Sequence, residues 1–232
     1  MFTHNPKSFR PTVSRCCHLA ACWLVLCLAT APAHAELADE LAALAPDADA
    51  HVLALAVKAS ACAARLGKAR APQKLAVIDY SRVSLLPRMW IFDLKTRSLL
   101  LTEHVAHGRG SGDNLPTKFS NDEGSFQSSL GLFKTADSYI GKNGRSLRLH
   151  GLEVGVNDQA LTRAVVVHGA DYADPAFGRL HGRLGRSHGC PAVRPQVVDT
   201  VIDALLDGQQ LFIYYPQDDW LSESALLHCD LP

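Results

Sequence analysis

The sequence predicts a mainly β domain with one packed helix and a short N-terminal helical lead-in. Three observations predict it. From Leu75 onward, short β-type runs recur, separated by clusters of Gly, Asn, Asp and Ser. A single later segment, Pro195 to Leu206, carries a clear helical apolar period. Residues 36–70 are rich in Ala and Leu with helical spacing.

Taken in order, residues 1–35 read as a secretory signal. Lys7, Arg10 and Arg15 form a positive start without an acid, Cys16 to Thr30 is apolar or small apart from His18 and Thr30, and Ala33-His34-Ala35 fits small-x-small cleavage. The apolar stretch is short for a stable membrane span, so none is expected after cleavage. The expected location is the periplasm or cell envelope. Losing three basic residues and no acids leaves 20 basic against the 23 acidic residues, a net charge of −3. That balance gives no reason to expect nucleic acid as a partner. Cleavage also removes four of the seven cysteines, leaving Cys62, Cys190 and Cys229. An odd count in an oxidising compartment leaves at least one thiol unpaired. Pairing Cys62 with Cys229 leaves Cys190 reactive, but sequence does not fix whether those two come within bridging distance.

Residues 36–73 are expected to form two short helices joined near Ala45, with Pro46-Asp47 starting the second. Leu53, Val57 and Ala61 share its face. The catalytic-type domain follows over 74–232. Its expected strands are Leu75 to Tyr80, Met89 to Leu94, Leu99 to Val105, Ser129 to Thr135, Ala164 to His168 and Leu211 to Tyr215. Gly108 to Ser128 has no period and reads as a long functional loop. Pro195 suits the first turn of the later helix, and Gly208 ends it.

The chemistry concentrates in Val165-Val166-Val167-His168-Gly169 and in Gly185-Arg186-Ser187-His188-Gly189-Cys190-Pro191. A thiol attacks a carbonyl as thiolate, and an ordinary cysteine is mostly protonated at neutral pH. An imidazole within hydrogen-bond reach can take the proton. His168 ends a stiff run of valines, and Cys190 follows a turn in which Gly189 allows a sharp bend. The amides of Gly189 and Cys190 are expected to face a tetrahedral oxyanion. A cysteine alone is often only a small hydrophobe, and a histidine alone is often structural. The pair, flanked by glycines in an exported chain, points to nucleophilic catalysis. A zinc site built from His168, His181, His188 and Cys190 is an alternative, but the spacing is looser than paired zinc ligands show.

Ser187-His188-Gly189-Cys190 with an upstream His-Gly pair resembles the active-site motif of the YkuD-type L,D-transpeptidases. The resemblance continues, in order, through Asp79-Tyr80-Ser81, Ala106 to Gly112, Phe119-Ser120-Asn121, Ser128 to Gly131, Tyr139 to Lys142, Leu147-Arg148-Leu149, His168 to Tyr172 and Gly189 to Ala192, covering roughly Ala76 to Pro216. These residues resemble those of the murein L,D-transpeptidase catalytic-domain branch. The resemblance implies a β-sandwich-like catalytic domain that cleaves a peptidoglycan tetrapeptide stem and releases D-Ala. An acyl-thioester on Cys190 would then pass to an amine on a second stem.

It implies His168 as base, with the Gly169 carbonyl orienting its ring. His188 either polarises the turn or fills space, and a supporting role is expected. The resemblance implies no metal or other cofactor. His107, Tyr172, Arg186, Ser187 and Asn121 are expected to contact substrate, with Ser125 in the same groove-lining set. His107 is also a rival base. The family usually carries Arg or Asn soon after the cysteine, whereas this chain has Pro191, Ala192 and Val193 before Arg194. Arg186 and Arg179 are candidates to bind a substrate carboxylate instead.

A carboxypeptidase, or a hydrolase that detaches wall-bound lipoproteins, would use the same Cys/His pair with water as acceptor. Papain-like and NlpC/P60 peptidases place the cysteine before the histidine, the reverse of the order here. Sortases share the order, but their Thr-Leu-x-Thr-Cys motif is missing.

Overall fold

The computed structural model describes residues 1–3 and 33–231. Most of the expected signal, residues 1–35, lies outside the described residues. The compact unit Ala31–Pro232 carries the elements that follow. Among the described residues no helix is long and apolar enough to cross a membrane.

Two helices lead, α1 (Ala33–Leu44) and α2 (Ala50–Arg65). The second begins three residues later than Pro46-Asp47 suggests. Asp49, not Asp47, supplies the capping oxygen, accepting from the His51 amide at 2.8 Å and satisfying an otherwise orphan donor. Eight strands follow: β1 (Lys74–Asp79), β2 (Met89–Asp93), β3 (Ser98–Glu103), β4 (Gly131–Gly141), β5 (Gly144–Gly151), β6 (Val166–Gly169), β7 (Ala192–Val193) and β8 (Gln210–Tyr214). Interleaved are α3 (Pro175–His181), α4 (Pro195–Leu205) and α5 (Asp218–Glu223).

All eight strands join one sheet in the order β3-β2-β1-β8-β4-β5-β6-β7. Its centre, β1 and β8, pairs in parallel, and both strands are buried almost throughout. Both faces are covered, so their sequences are continuous apolar runs with no alternation. The helix α2 packs against β8, β1 and β4, and α4 packs against β6, β1 and β5. The buried aromatics Trp90, Phe92, Phe133 and Phe212 fill the core, each contributing roughly 1.5–3 kcal/mol by burial.

The two ends of the sheet meet. Ala106, just beyond β3, bridges Ala192 of β7, with Ala106 N–H donating to Ala192 O at 2.8 Å and Ala192 N–H to Ala106 O at 3.3 Å. The sheet is thus a nearly closed barrel, which supplies the two expected layers from one ladder.

The expected Ser129–Thr135 strand is longer, reaching Gly141, and β5 was not anticipated. Arg148 and His150 interrupt its apolar pattern, alternating with the buried Leu147 and Leu149, and Arg145 near its start pairs with Asp199 and Asp203. Near the C-terminus, the buried Glu153 anchors α5. Its oxygens accept from Leu132 N–H at 2.9 Å, from Trp220 Nε1–H at 3.2 Å and from the Ser224 hydroxyl. A disulfide joins Cys62 to Cys229, with Cα atoms 5.9 Å apart, which resolves the pairing that sequence left open. Cys190 is free.

Candidate active site

The site lies at the seam where the sheet closes. At β6 and the residue before it, Val165 and Val167 belong to the main core, whereas Val166 and His168 do not. Strand alternation therefore turns His168 to the face opposite the core. Parallel pairing with β7 sets His168 opposite Ala192, two residues past Cys190, and the His168 amide donates to Pro191 O at 3.4 Å.

The His168 ring is buried and its Nδ1 lies 2.9 Å from Gly169 O. A carbonyl only accepts, so Nδ1 carries the hydrogen and the lone pair of the neutral ring sits on Nε2. Burial holds the imidazole below its ordinary pKa, opposed by the bond to Gly169. The ring is therefore neutral at neutral pH and able to accept a proton.

The nucleophile turn is tied to itself and to the seam. The Ser187 hydroxyl donates to Cys190 O at 2.6 Å and accepts from Gly189 N–H at 3.0 Å. Ser187 N–H donates to His107 O at 2.9 Å, and Arg109 N–H donates to Ser187 O at 2.8 Å. Gly189 has φ of +122°, and a Cβ there would lie 2.8 Å from Gln127 O. The loop Gly108–Ser128 passes so close that a Cβ on Gly108 would meet the Gly189 Cα at 2.8 Å. Its glycines thus serve backbone-on-backbone contact. Ser128 Oγ completes the tie, accepting from Gly108 N–H at 3.0 Å and donating to Gly189 O at 3.1 Å.

One expectation needs correction here. The Gly189 N–H is consumed by Ser187 Oγ and does not face an incoming oxyanion. The Cys190 amide approaches its own sulfur, which leaves it as the turn's candidate donor.

The half-buried Cys190 sulfur accepts from Val166 N–H at 3.5 Å and donates toward Ala164 O at 3.6 Å. Its hydrogen bonds are to the chain entering β6, and none is to the His168 ring. Ala164 is held at φ +52°, a left-handed conformation unusual for alanine. Burial pushes the thiol up, while the Val166 amide, the Arg163 cation and the thiol's own amide pull it down. In the resting site, thiol and imidazole are both neutral.

His107 lies inside the protein. It is fully buried, with Nδ1 2.8 Å from Arg88 Nη2 and Nε2 3.4 Å from Gly112 O. Arginine only donates, so Nδ1 must accept. Burial first, then the Arg88 charge, drives its pKa down to about 3. With both nitrogens committed, the buried ring is a structural link of the seam.

Arg186 donates to Gly112 O and to Asp113 Oδ1, both at 2.8 Å. Arg194, the first arginine after the cysteine, is tied to the buried Glu103 at 2.8 Å, and Arg179 is exposed on α3. His188 is exposed with its ring 4.7 Å from Phe126, over which Arg109 stacks at 4.0 Å.

Tyr172 is half-buried, and burial plus the Cys190 charge push its hydroxyl up to about 12. Its Cβ lies so close to Gly185 that a Cβ there would meet it at 2.3 Å. Asn121 bonds Asp158 Oδ1 at 2.8 Å and the Gln159 amide at 3.0 Å. It borders a cavity of about 390 Å³ lined also by Phe119, Glu153 and Trp220. That cavity contains neither Cys190 nor His168. Ser125 contacts Arg163.

Sequence reasoning missed Arg163. Its one signal was position, five residues before His168, and nothing in that spacing marks an arginine as functional. Among the described residues, no group of three or more His, Cys, Asp or Glu is arranged to hold a metal.

Residues 44–214 match a family model described as L,D-transpeptidase catalytic domain. Solved structures similar to this chain include an L,D-transpeptidase from Mycobacterium smegmatis, at 13% identity and TM-score 0.37, covering 62% of this chain and 59% of that one. An L,D-transpeptidase from Stackebrandtia nassauensis is similar at 12% identity and TM-score 0.38, covering 80% and 92%. L,D-transpeptidase 3 from Mycobacterium tuberculosis is similar at 14% identity and TM-score 0.35, covering 62% of each. The chain spans 59% of the first of these structures. No curated protein matches it.

Proposed function

This chain belongs to the L,D-transpeptidase catalytic-domain family, and from that membership and the site geometry we propose that it is a peptidoglycan L,D-transpeptidase with Cys190 as nucleophile and His168 as base. The observation that carries this reading is the orientation of His168. Gly169 O fixes its Nδ1–H, so an unprotonated Nε2 stands on the strand that also contacts the Cys190 sulfur.

Rotation about the Cys190 Cα–Cβ bond takes the thiol from Ala164 O toward the imidazole. Nε2 accepts the thiol proton as sulfur bonds to the carbonyl carbon preceding the terminal D-Ala of a tetrapeptide stem. Negative charge builds on the carbonyl oxygen, where the Cys190 amide is placed to receive it. The C–N bond then breaks, the imidazolium gives its proton to the departing amine, and D-Ala leaves. An acceptor amine attacks the resulting thioester, loses its proton to Nε2, and expels the thiolate.

The leader-like residues 1–35 and the Cys62–Cys229 disulfide both favour an oxidising compartment. They support placing the reaction in the periplasm or cell envelope.

The test is incubation of purified protein with disaccharide-tetrapeptide, the products being weighed by mass spectrometry. A cross-linked dimer with released D-Ala is expected. Released D-Ala alone assigns water as the acceptor and makes the protein a carboxypeptidase, and unchanged substrate overturns the reading.

A further inference from the structure

Arg163 stands on the segment that leads into β6, and its guanidinium is unusually placed. Nη1 donates to Ser120 O at 2.8 Å and Ser129 Oγ at 2.5 Å, while Nη2 donates to Gln127 O at 2.7 Å and Ser125 Oγ at 3.3 Å. All four acceptors are neutral. None of the ion pairs among the described residues includes Arg163. A half-buried cation thus spends nearly all its hydrogen-bonding capacity on neutral groups, and the carboxylate that acts on it, Asp122, does so through space without an ion pair.

Two contacts say where that charge acts. A Cβ built on Gly189 would lie 3.5 Å from Arg163 Nη2, so the guanidinium faces the residue that precedes the nucleophile. The next residue along from Arg163 is Ala164, whose carbonyl faces the Cys190 thiol at 3.6 Å. Among the described residues, Arg163 is the cation whose charge favours the Cys190 thiolate. On its far side, the same guanidinium gathers residues 120–129 into the loop that arches over Gly189.

We propose that Arg163 is a positioning residue for the reaction of Cys190, holding a positive charge beside the sulfur so that thiolate is less costly to form on attack and to expel on transfer. It exchanges no proton. The proton still passes between Sγ and His168 Nε2, and the guanidinium remains charged throughout. A role confined to fastening the loop would need only the four hydrogen bonds, whereas the proposed role needs the charge. This inference rests on Cys190 being the nucleophile. Its test reads the thiol directly, whatever acyl donor the enzyme uses, so a failure here is distinguishable from a failure of the proposed function.

The experiment follows iodoacetamide alkylation of Cys190 against pH, on the Cys190 peptide by mass spectrometry, in the wild type, Arg163→Gln and Arg163→Lys. Glutamine should raise the midpoint by about one pH unit, roughly a tenfold loss of thiolate at any pH below it. Lysine should recover most of that shift, although it cannot reproduce the four-bonded fork. An unchanged midpoint in Arg163→Gln, or equal shifts for Gln and Lys, overturns the proposal. Should Arg163→Gln not fold, Ser125→Asp sets a carboxylate against Nη2 with the arginine intact. Its midpoint should also rise by about one unit, and no rise overturns the proposal.

Discussion

The amide of Val166 donates to the sulfur of Cys190 across 3.5 Å. The strand that ends in the proposed base therefore also holds the proposed nucleophile in its resting rotamer, through a backbone amide. Replacing Cys190 by alanine removes the only reactive atom in this arrangement. Cys190→Ala should abolish the covalent adduct with a carbapenem, as read by intact-mass spectrometry, and retention of that adduct at full rate sinks the nucleophile assignment.

The two histidines of the seam should separate cleanly. His168→Ala should lower the acylation rate roughly 10²–10⁴-fold, the usual contribution of a positioned base. His107→Ala should instead cost stability, about 1–3 kcal/mol for leaving the buried Arg88 donor unmatched, with a much smaller effect on rate. Acylation kinetics and urea unfolding on both variants check this, and the reverse ordering of rates transfers the base role.

Acid should weaken the fold through His107. Its folded pKa of about 3 lies below the ordinary value of 6.5, so the unfolded chain binds more protons between those values. Stability then falls as pH drops from about 6.5 toward 3, at a limiting slope of about 1.4 kcal/mol per pH unit from this group. Urea unfolding between pH 4 and 7 should show a flatter profile in His107→Gln than in the wild type. Parallel profiles would remove His107 as the source.

Gly189 should tolerate no side chain. Its φ of +122° and the approach of Gln127 O to 2.8 Å mean that a methyl group must displace the loop or the turn. Gly189→Ala should fold with near-normal far-UV circular dichroism yet lose most carbapenem acylation, by about 100-fold or more, the scale at which small misplacement of reacting groups is felt.

The disulfide closes 167 residues of chain, so its loss should cost roughly 3–5 kcal/mol. Cys62→Ser with Cys229→Ser should lower the unfolding midpoint accordingly. Intact-mass analysis of exported protein should count one free thiol, and a count of three removes the bridge.

Much of this was legible in the sequence because the core strands announce themselves. Leu75 to Tyr80 and Leu211 to Tyr215 are continuous apolar runs, which is what burial on both faces requires. Gly189 was readable as a backbone device, since glycine permits so sharp a bend. The strand β5 was not readable, because Arg148 and His150 alternate with its buried leucines and Arg145 is drawn to Asp199 and Asp203. His107 looked like a surface ligand beside a glycine loop, and its burial depends on Arg88, which is far away in sequence and is brought beside it only by the pairing of β2 and β3. Arg163 was illegible for a related reason. Its four partners lie between Ser120 and Ser129, the first of them 43 residues earlier, and no local pattern reports such a meeting.

The bridge between Ala106 and Ala192 has a further consequence. A sheet with two open margins offers unpaired amides and carbonyls to neighbouring molecules. Here the outermost strands turn toward each other, and α1 packs against β3, so little backbone is left for ribbon-like self-association. The junction is held by few ladder bonds, which makes it the place where a longer connecting segment could be accommodated while the rest of the ladder keeps its register.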